Sequence, residues 1–112
     1  MLFCLTGDYT PQALKAMEET PNADRQGAAA AVIEAAGGKL VAMYGRSTHG
    51  PGVLVIFDVP DPEMPAAICG VTVASGAIQN AHVTRLFTME EVKSIRGKRV
   101  RLSRAYKPPG KA

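Results

Sequence analysis

The stretch Gly52–Asp61, GVLVIFDVPD, is the part of the chain that most restricts its architecture. Successive side chains of an extended segment point to opposite sides. Val53, Val55, Phe57 and Val59 therefore share one side and Leu54 and Ile56 the other, so both sides are apolar. Such a strand belongs in the middle of a sheet. A chain of 112 residues suffices for one domain with a modest core, but its helices can cover only one face of that sheet. The second apolar face then calls for a partner or a pocket, and at least a dimer is expected.

The remaining elements follow in order. Leu2-Phe3-Cys4-Leu5 reads as a buried strand over residues 2–6, closed by Gly7-Asp8 as turn residues. Thr10 is placed to cap a helix that starts at Pro11, where a missing N–H costs nothing, with Leu14 and Met17 on its apolar side. Pro21 interrupts that helix, and Asn22 recaps a second segment over Ala23–Ala36. Its stripe is Ala28, Val32 and Ala35, small residues that suit close packing on a sheet, and Gly37-Gly38 is its stop. Lys39–Arg46 is a second strand, apolar on both sides, and Ser47–Pro51 has the length of a hairpin loop joining it to the Gly52 strand.

Pro62 and Pro65 fit the first turn of a helix beginning at Pro62, using Met64, Ala67, Ile68 and Val71 and stopping at Gly76. Ile78–Phe87 is a fourth, more polar strand, with His82, Thr84 and Leu86 on one side and Val83, Arg85 and Phe87 on the other. Thr88 and Glu91 form a capping box, flanked by Phe87 and Val92 as a hydrophobic staple, which opens a short helix to about Arg96. Strand, helix, strand, strand, helix, strand is the split β-α-β pattern. Right-handed crossovers place strands 1 and 3 in the centre and strands 4 and 2 at the edges. The expected fold is an α+β, ferredoxin-like βαββαβ sandwich over residues 1–96 with a short extra C-terminal helix, and residues 97–112 form a basic arm or tail.

The segments in that order resemble the GYD-domain family of small bacterial α+β proteins. The resemblance covers residues 3 to about 96 and rests on the YTPQA helix start, the mid-helix Pro21, GGKL at 37–40, Tyr44, VPD at 59–61 and RLFTMEE at 85–91. It implies a ferredoxin-like protomer that pairs sheet to sheet in a dimeric α/β-barrel-type assembly; the family's biochemical role is largely unassigned. The family's naming Gly-Tyr-Asp would fall at His49-Gly50-Pro51-Gly52, where Gly50 matches and the Tyr and Asp are absent. A role resting on that phenol and carboxylate is therefore not implied for this chain.

Charge is divided unevenly along the chain. Residues 1–92 hold 5 Lys/Arg and 10 Asp/Glu, whereas residues 93–112 hold 8 Lys/Arg and no acid. A basic arm on an acidic body suits a neighbouring copy of the same protein. Nucleic-acid contact through the tail and its Tyr106 is a further reading, disfavoured by the acidic body and the lack of a folded nucleic-acid motif. No apolar run approaches the roughly 20 residues of a spanning helix, and Met1-Leu2-Phe3 enters a strand without a basic leader, so a cytoplasmic protein is expected. Cys4 and Cys69 read as buried free thiols.

No catalytic signature stands out. GRSTHGPG at 45–52 is followed by a strand and so lacks the setting of a phosphate loop. Two His and two Cys on separate elements give no metal-ligand spacing, and neither a metal nor a cofactor is expected. The candidate ligand-binding residues are His82, since an imidazole can act as a base or orient a ligand, Thr84 beside it, Tyr44 on the second strand, and Arg46 and His49 on the polar rim of the hairpin loop. Two classes of function follow: a homodimeric or higher homo-oligomeric module that binds a small molecule or a protein without catalysis, or a cofactor-independent enzyme with its pocket between paired sheets.

Overall fold

A computed structural model describes residues 1–111. Its strands are β1 (Leu2–Tyr9), β2 (Lys39–Arg46), β3 (Gly52–Asp58) and β4 (Ile78–Leu86), and its helices are α1 (Pro11–Glu19), α2 (Arg25–Ala35), α3 (Met64–Ala74) and α4 (Met89–Ser103). The strands make one antiparallel sheet in the order β2-β3-β1-β4. The two strands expected at the centre are there, and the α+β arrangement is compatible with a ferredoxin-like fold.

Alternation along β1 and β3 sends Phe3, Leu5, Val53, Val55 and Phe57 to one face, where they are buried with Ile33 of α2 and Ile68 of α3. Phe57 is fully buried, and its ring stacks on that of Phe3 with centroids 6.0 Å apart. The residues between them, Leu2, Cys4, Thr6, Leu54 and Ile56, face the other way and are half-buried. One face of the sheet is thus covered and the other is open. None of the helices among the described residues is long and apolar enough to cross a membrane.

Several helix ends follow from the local sequence. Thr10 accepts a hydrogen bond from the Ala13 N–H at 3.1 Å, and Thr88 and Glu91 complete the capping box of α4. Gly37 takes a left-handed φ of 82° after α2, and the Gly38 N–H returns to the Ile33 carbonyl at 3.0 Å.

Other boundaries and faces differ from the expectations drawn from local sequence. β1 continues through Gly7 and Asp8 to Tyr9, because β3 pairs with it as far as Gly52 and outcompetes the local turn preference. The cap of α2 is Asp24, which accepts from the Gly27 N–H at 2.8 Å, rather than Asn22. The buried residue of α2 is Ile33, while Val32 and Ala35 are exposed. α3 starts at Met64, after a turn in which Asp61 accepts from the Glu63 N–H, rather than at Pro62. Both cysteines are free and half-buried rather than buried.

The largest departure is α4, which runs past Arg96 to Ser103. Gly97 costs roughly 1 kcal/mol in a helix, but the capping box nucleates the helix and the Lys, Arg and Leu around the glycine propagate it. The Val100–Leu102 segment, expected in the basic arm, is therefore helical. Beyond Val92 every residue of α4 is exposed, and the longest dimension of the protein is 60 Å against 32 and 22 Å for the others. α4 stands away from the body.

Candidate functional site

Cross-strand pairing decides which side chains meet on the open face. Tyr44 lies opposite Leu54, Leu54 opposite Thr6, and Thr6 opposite His82, so these four residues form one row across the sheet. The adjacent row is Ala42, Ile56, Cys4 and Thr84. Of the five residues singled out in the sequence, Tyr44, His82, Thr84 and Arg46 thus share this face. Tyr44 and His82 sit on opposite edge strands, three inter-strand steps or about 14 Å apart, and so they do not converge within one chain. Tyr44, at 62%, and His82 are both exposed. Cys4 is central, and burial raises its thiol pKa, which keeps it protonated and poorly nucleophilic at neutral pH.

At one end of this face lies a charged cluster that the sequence did not reveal. The Arg46 guanidinium pairs with Asp8, and Asn80 donates to the second Asp8 oxygen at 3.1 Å. Asn80 adopts a left-handed φ of 52° where the register of β4 against β1 shifts, and that bulge turns its amide toward Asp8. Gly52 is required between these groups, since a Cβ there would collide with the Gly7 carbonyl and the Arg46 guanidinium. His49 sits exposed on the loop, at a left-handed φ of 65°, and its charge acts weakly on Asp8. The alternation Leu2, Cys4, Thr6, Asp8 carries the signal for Asp8, once β1 is extended past Gly7.

The hydrogen bond from Asn80, with Arg46 and then His49 adding to it, lowers the Asp8 pKa. A carboxylate with a depressed folded-state pKa stabilises the fold above its unfolded value, about 3.9, and loses that contribution as pH falls through the folded value. Asp8→Asn is accordingly expected to melt earlier than the parent at pH 7, and the gap should close as pH falls below about 3.9. Thermal melts of both proteins from pH 7 to pH 2.5 check this; a gap independent of pH would show that the carboxylate charge contributes nothing.

A cavity of about 240 Å³ lies on the opposite, helix-covered side of the sheet. Val53 and Val55 form its floor, Ala29 and Val32 of α2 one wall, and Ile68 and Val71 of α3 the other. Its origin is the alanine run of α2: side chains of one carbon leave the space between the two helices unfilled. α2 packs on the sheet through Ile33, as the expectation of close packing has it, but beside Ala28 and Ala29 the small side chains leave a gap. Arg25, Tyr9, Thr72 and Ser75 are the cavity's polar members.

These features define a class: a small α+β protein with a four-stranded antiparallel sheet that is covered on one face and carries apolar and polar side chains on its open one. The GYD domain family matches residues 3–95, and the chain belongs to that family. Among curated proteins none matches significantly. Among solved structures the chain is similar in fold to 5-chloro-2-hydroxyhydroquinone dehydrochlorinase (TftG) from Burkholderia phenoliruptrix AC1100, in complex with 2,5-dihydroxybenzoquinone. The TM-score is 0.52 at 14% identity, over 78% of this chain and 94% of that one.

Proposed function

We propose that this GYD-family chain is a homo-oligomeric binding module in which two protomers pair through their open sheet faces, in a dimeric α/β-barrel-type assembly. The observation that carries this reading is the patch of apolar side chains on the bare face, Leu2, Cys4, Ala42, Leu54 and Ile56, spread over neighbouring rows with no helix over them. A stable association buries roughly 800 Å² per partner, and apolar surface of this extent is what such an interface removes from water. Pairing across a two-fold axis brings Tyr44, His82 and Thr84 of the two chains toward one another and leaves Arg46 at the margin, bordering a groove for a small molecule.

α4 contributes to the same assembly. Arg96, Lys98, Arg99, Arg101 and Arg104 have no ion pair among the described residues, and neither do Glu18, Glu19, Glu34, Asp61 and Glu63 on the body. A 15-residue helix is marginal in water without tertiary contacts, and an acidic neighbouring copy supplies both charge and apolar contact for Ile95 and Leu102. Sedimentation velocity at micromolar concentration should show a dimer for the full chain and a weaker dimer after truncation at Arg96, with modest salt dependence. A monodisperse full-length monomer would overturn the assembly. Unchanged association after truncation, with polynucleotide affinity that falls steeply with salt, would assign α4 to phosphate contacts instead.

A further inference from the structure

The cavity on the covered side of the sheet lies within one chain, so it neither depends on the assembly nor belongs to the groove between paired sheets. Its walls are apolar, but two of its polar members have no partner. Arg25 takes part in none of the ion pairs among the described residues, and the Tyr9 hydroxyl has no hydrogen-bond partner there. The other two are committed: Thr72 donates to the Cys69 carbonyl at 2.9 Å and Ser75 to the Thr72 carbonyl at 2.7 Å. Arg25 is exposed and Tyr9 half-buried, so an apolar chamber has at its mouth one cation without an ion pair and one hydroxyl without a protein partner among the described residues, a donor set for an anion carried on an apolar body.

Volume narrows the class further. A cavity of about 150 Å³ lined by aliphatic and aromatic groups takes benzene, and pockets for larger ligands begin near 300 Å³. At about 240 Å³ the space suits on the order of ten heavy atoms. We propose that this cavity binds a compact monocarboxylate with a single ring or an equally bulky branched apolar body, its carboxylate paired with Arg25 and the Tyr9 hydroxyl at the mouth. Val32 and Val71 support this placement: they are 37% and 60% exposed and line the cavity, so part of their exposed apolar surface would be covered by such an occupant.

The test uses the full chain with two probes of nearly equal shape, 3-phenylpropanoate and the neutral 3-phenylpropan-1-ol, followed by methyl NMR and calorimetric titration. The expected result is saturable shifts at Val32, Val55 and Ile68 without matching shifts at Leu54 and Ile56 of the open face. The acid should bind more tightly than the alcohol. Arg25→Gln should weaken the acid about tenfold, as loss of a charge-assisted pair does, and leave the alcohol unchanged. Ala29→Leu should fill the space and weaken both probes. If that variant does not fold, Val71→Phe, at a position already exposed at the mouth, does the same job.

Three results would overturn the proposal: no saturable shift with either probe, shifts confined to the open face, or an acid affinity indifferent to Arg25→Gln. Loss of the dimer in sedimentation, with binding to one chain retained, would leave this site standing and remove only the assembly.

Discussion

Phe57→Ala is expected to cost about 3–5 kcal/mol, out of a total stability on the order of 5–15 kcal/mol. Phe57 is fully buried at the centre of the covered face, pairs with Phe3 on β1 and Leu40 on β2, and lines the existing cavity. Removing the ring enlarges a space that the alanines of α2 already leave open, and α2 cannot collapse inward without breaking the contact of Ile33. The cost should therefore lie at the upper end of that range, with a fall in Tm on the order of 15 °C or more. Denaturant titration should show a lower midpoint at an unchanged slope. A loss below about 1 kcal/mol would mean that the core is not centred on this ring.

On the other face, Ile56→Asp should convert a dimer into a folded monomer. Ile56 is half-buried in the row of Ala42, Cys4 and Thr84, near the middle of the surface assigned to the second protomer. In the monomer a carboxylate there remains near water and costs little. In the paired state it is removed from water without a partner, at about 3–5 kcal/mol, which corresponds to association weakened about 10²- to 10³-fold or more. Because a two-fold interface carries the substitution twice, the effect should exceed that of one charge. Sedimentation and circular dichroism together decide the matter: a native spectrum with a lower mass is expected. A dimer of unaltered affinity would rule out the open face as the interface.

The two substitutions lie on adjacent residues of β3, yet one is expected to act on folding and the other on the proposed association. Only the direction in which each side chain points separates them. That distinction is legible in the amino-acid sequence, because a period of two along GVLVIFDVPD leaves no freedom about which residues share a face. The apolar character of both faces placed β3 and β1 inside the sheet, and the antiparallel hairpin from β2 to β3 followed from the short loop between them. The capping groups Thr10 and Thr88 were equally legible, since a cap depends on residues only three positions apart.

What only the tertiary structure decided depends on residues far apart in the chain or on volume. Asp8 reads locally as a turn residue beside Gly7; its pairing with Arg46, 38 positions away, exists because β3 holds β1 and β2 side by side. The alanines of α2 show helix propensity but not the gap that they leave against α3, since a void is set by how two helices and a sheet meet rather than by the composition of one helix. Tyr9 and Arg25 acquire their common cavity in the same way, from strands and helices that the chain brings together only on folding. The length of α4 was also hidden, because Gly97 is a local stop signal of roughly 1 kcal/mol that a well-capped helix of good formers overrides. Periodicity and caps are short-range and survive in the sequence; register, volume and charge pairing are long-range and appear only when the backbone closes on itself.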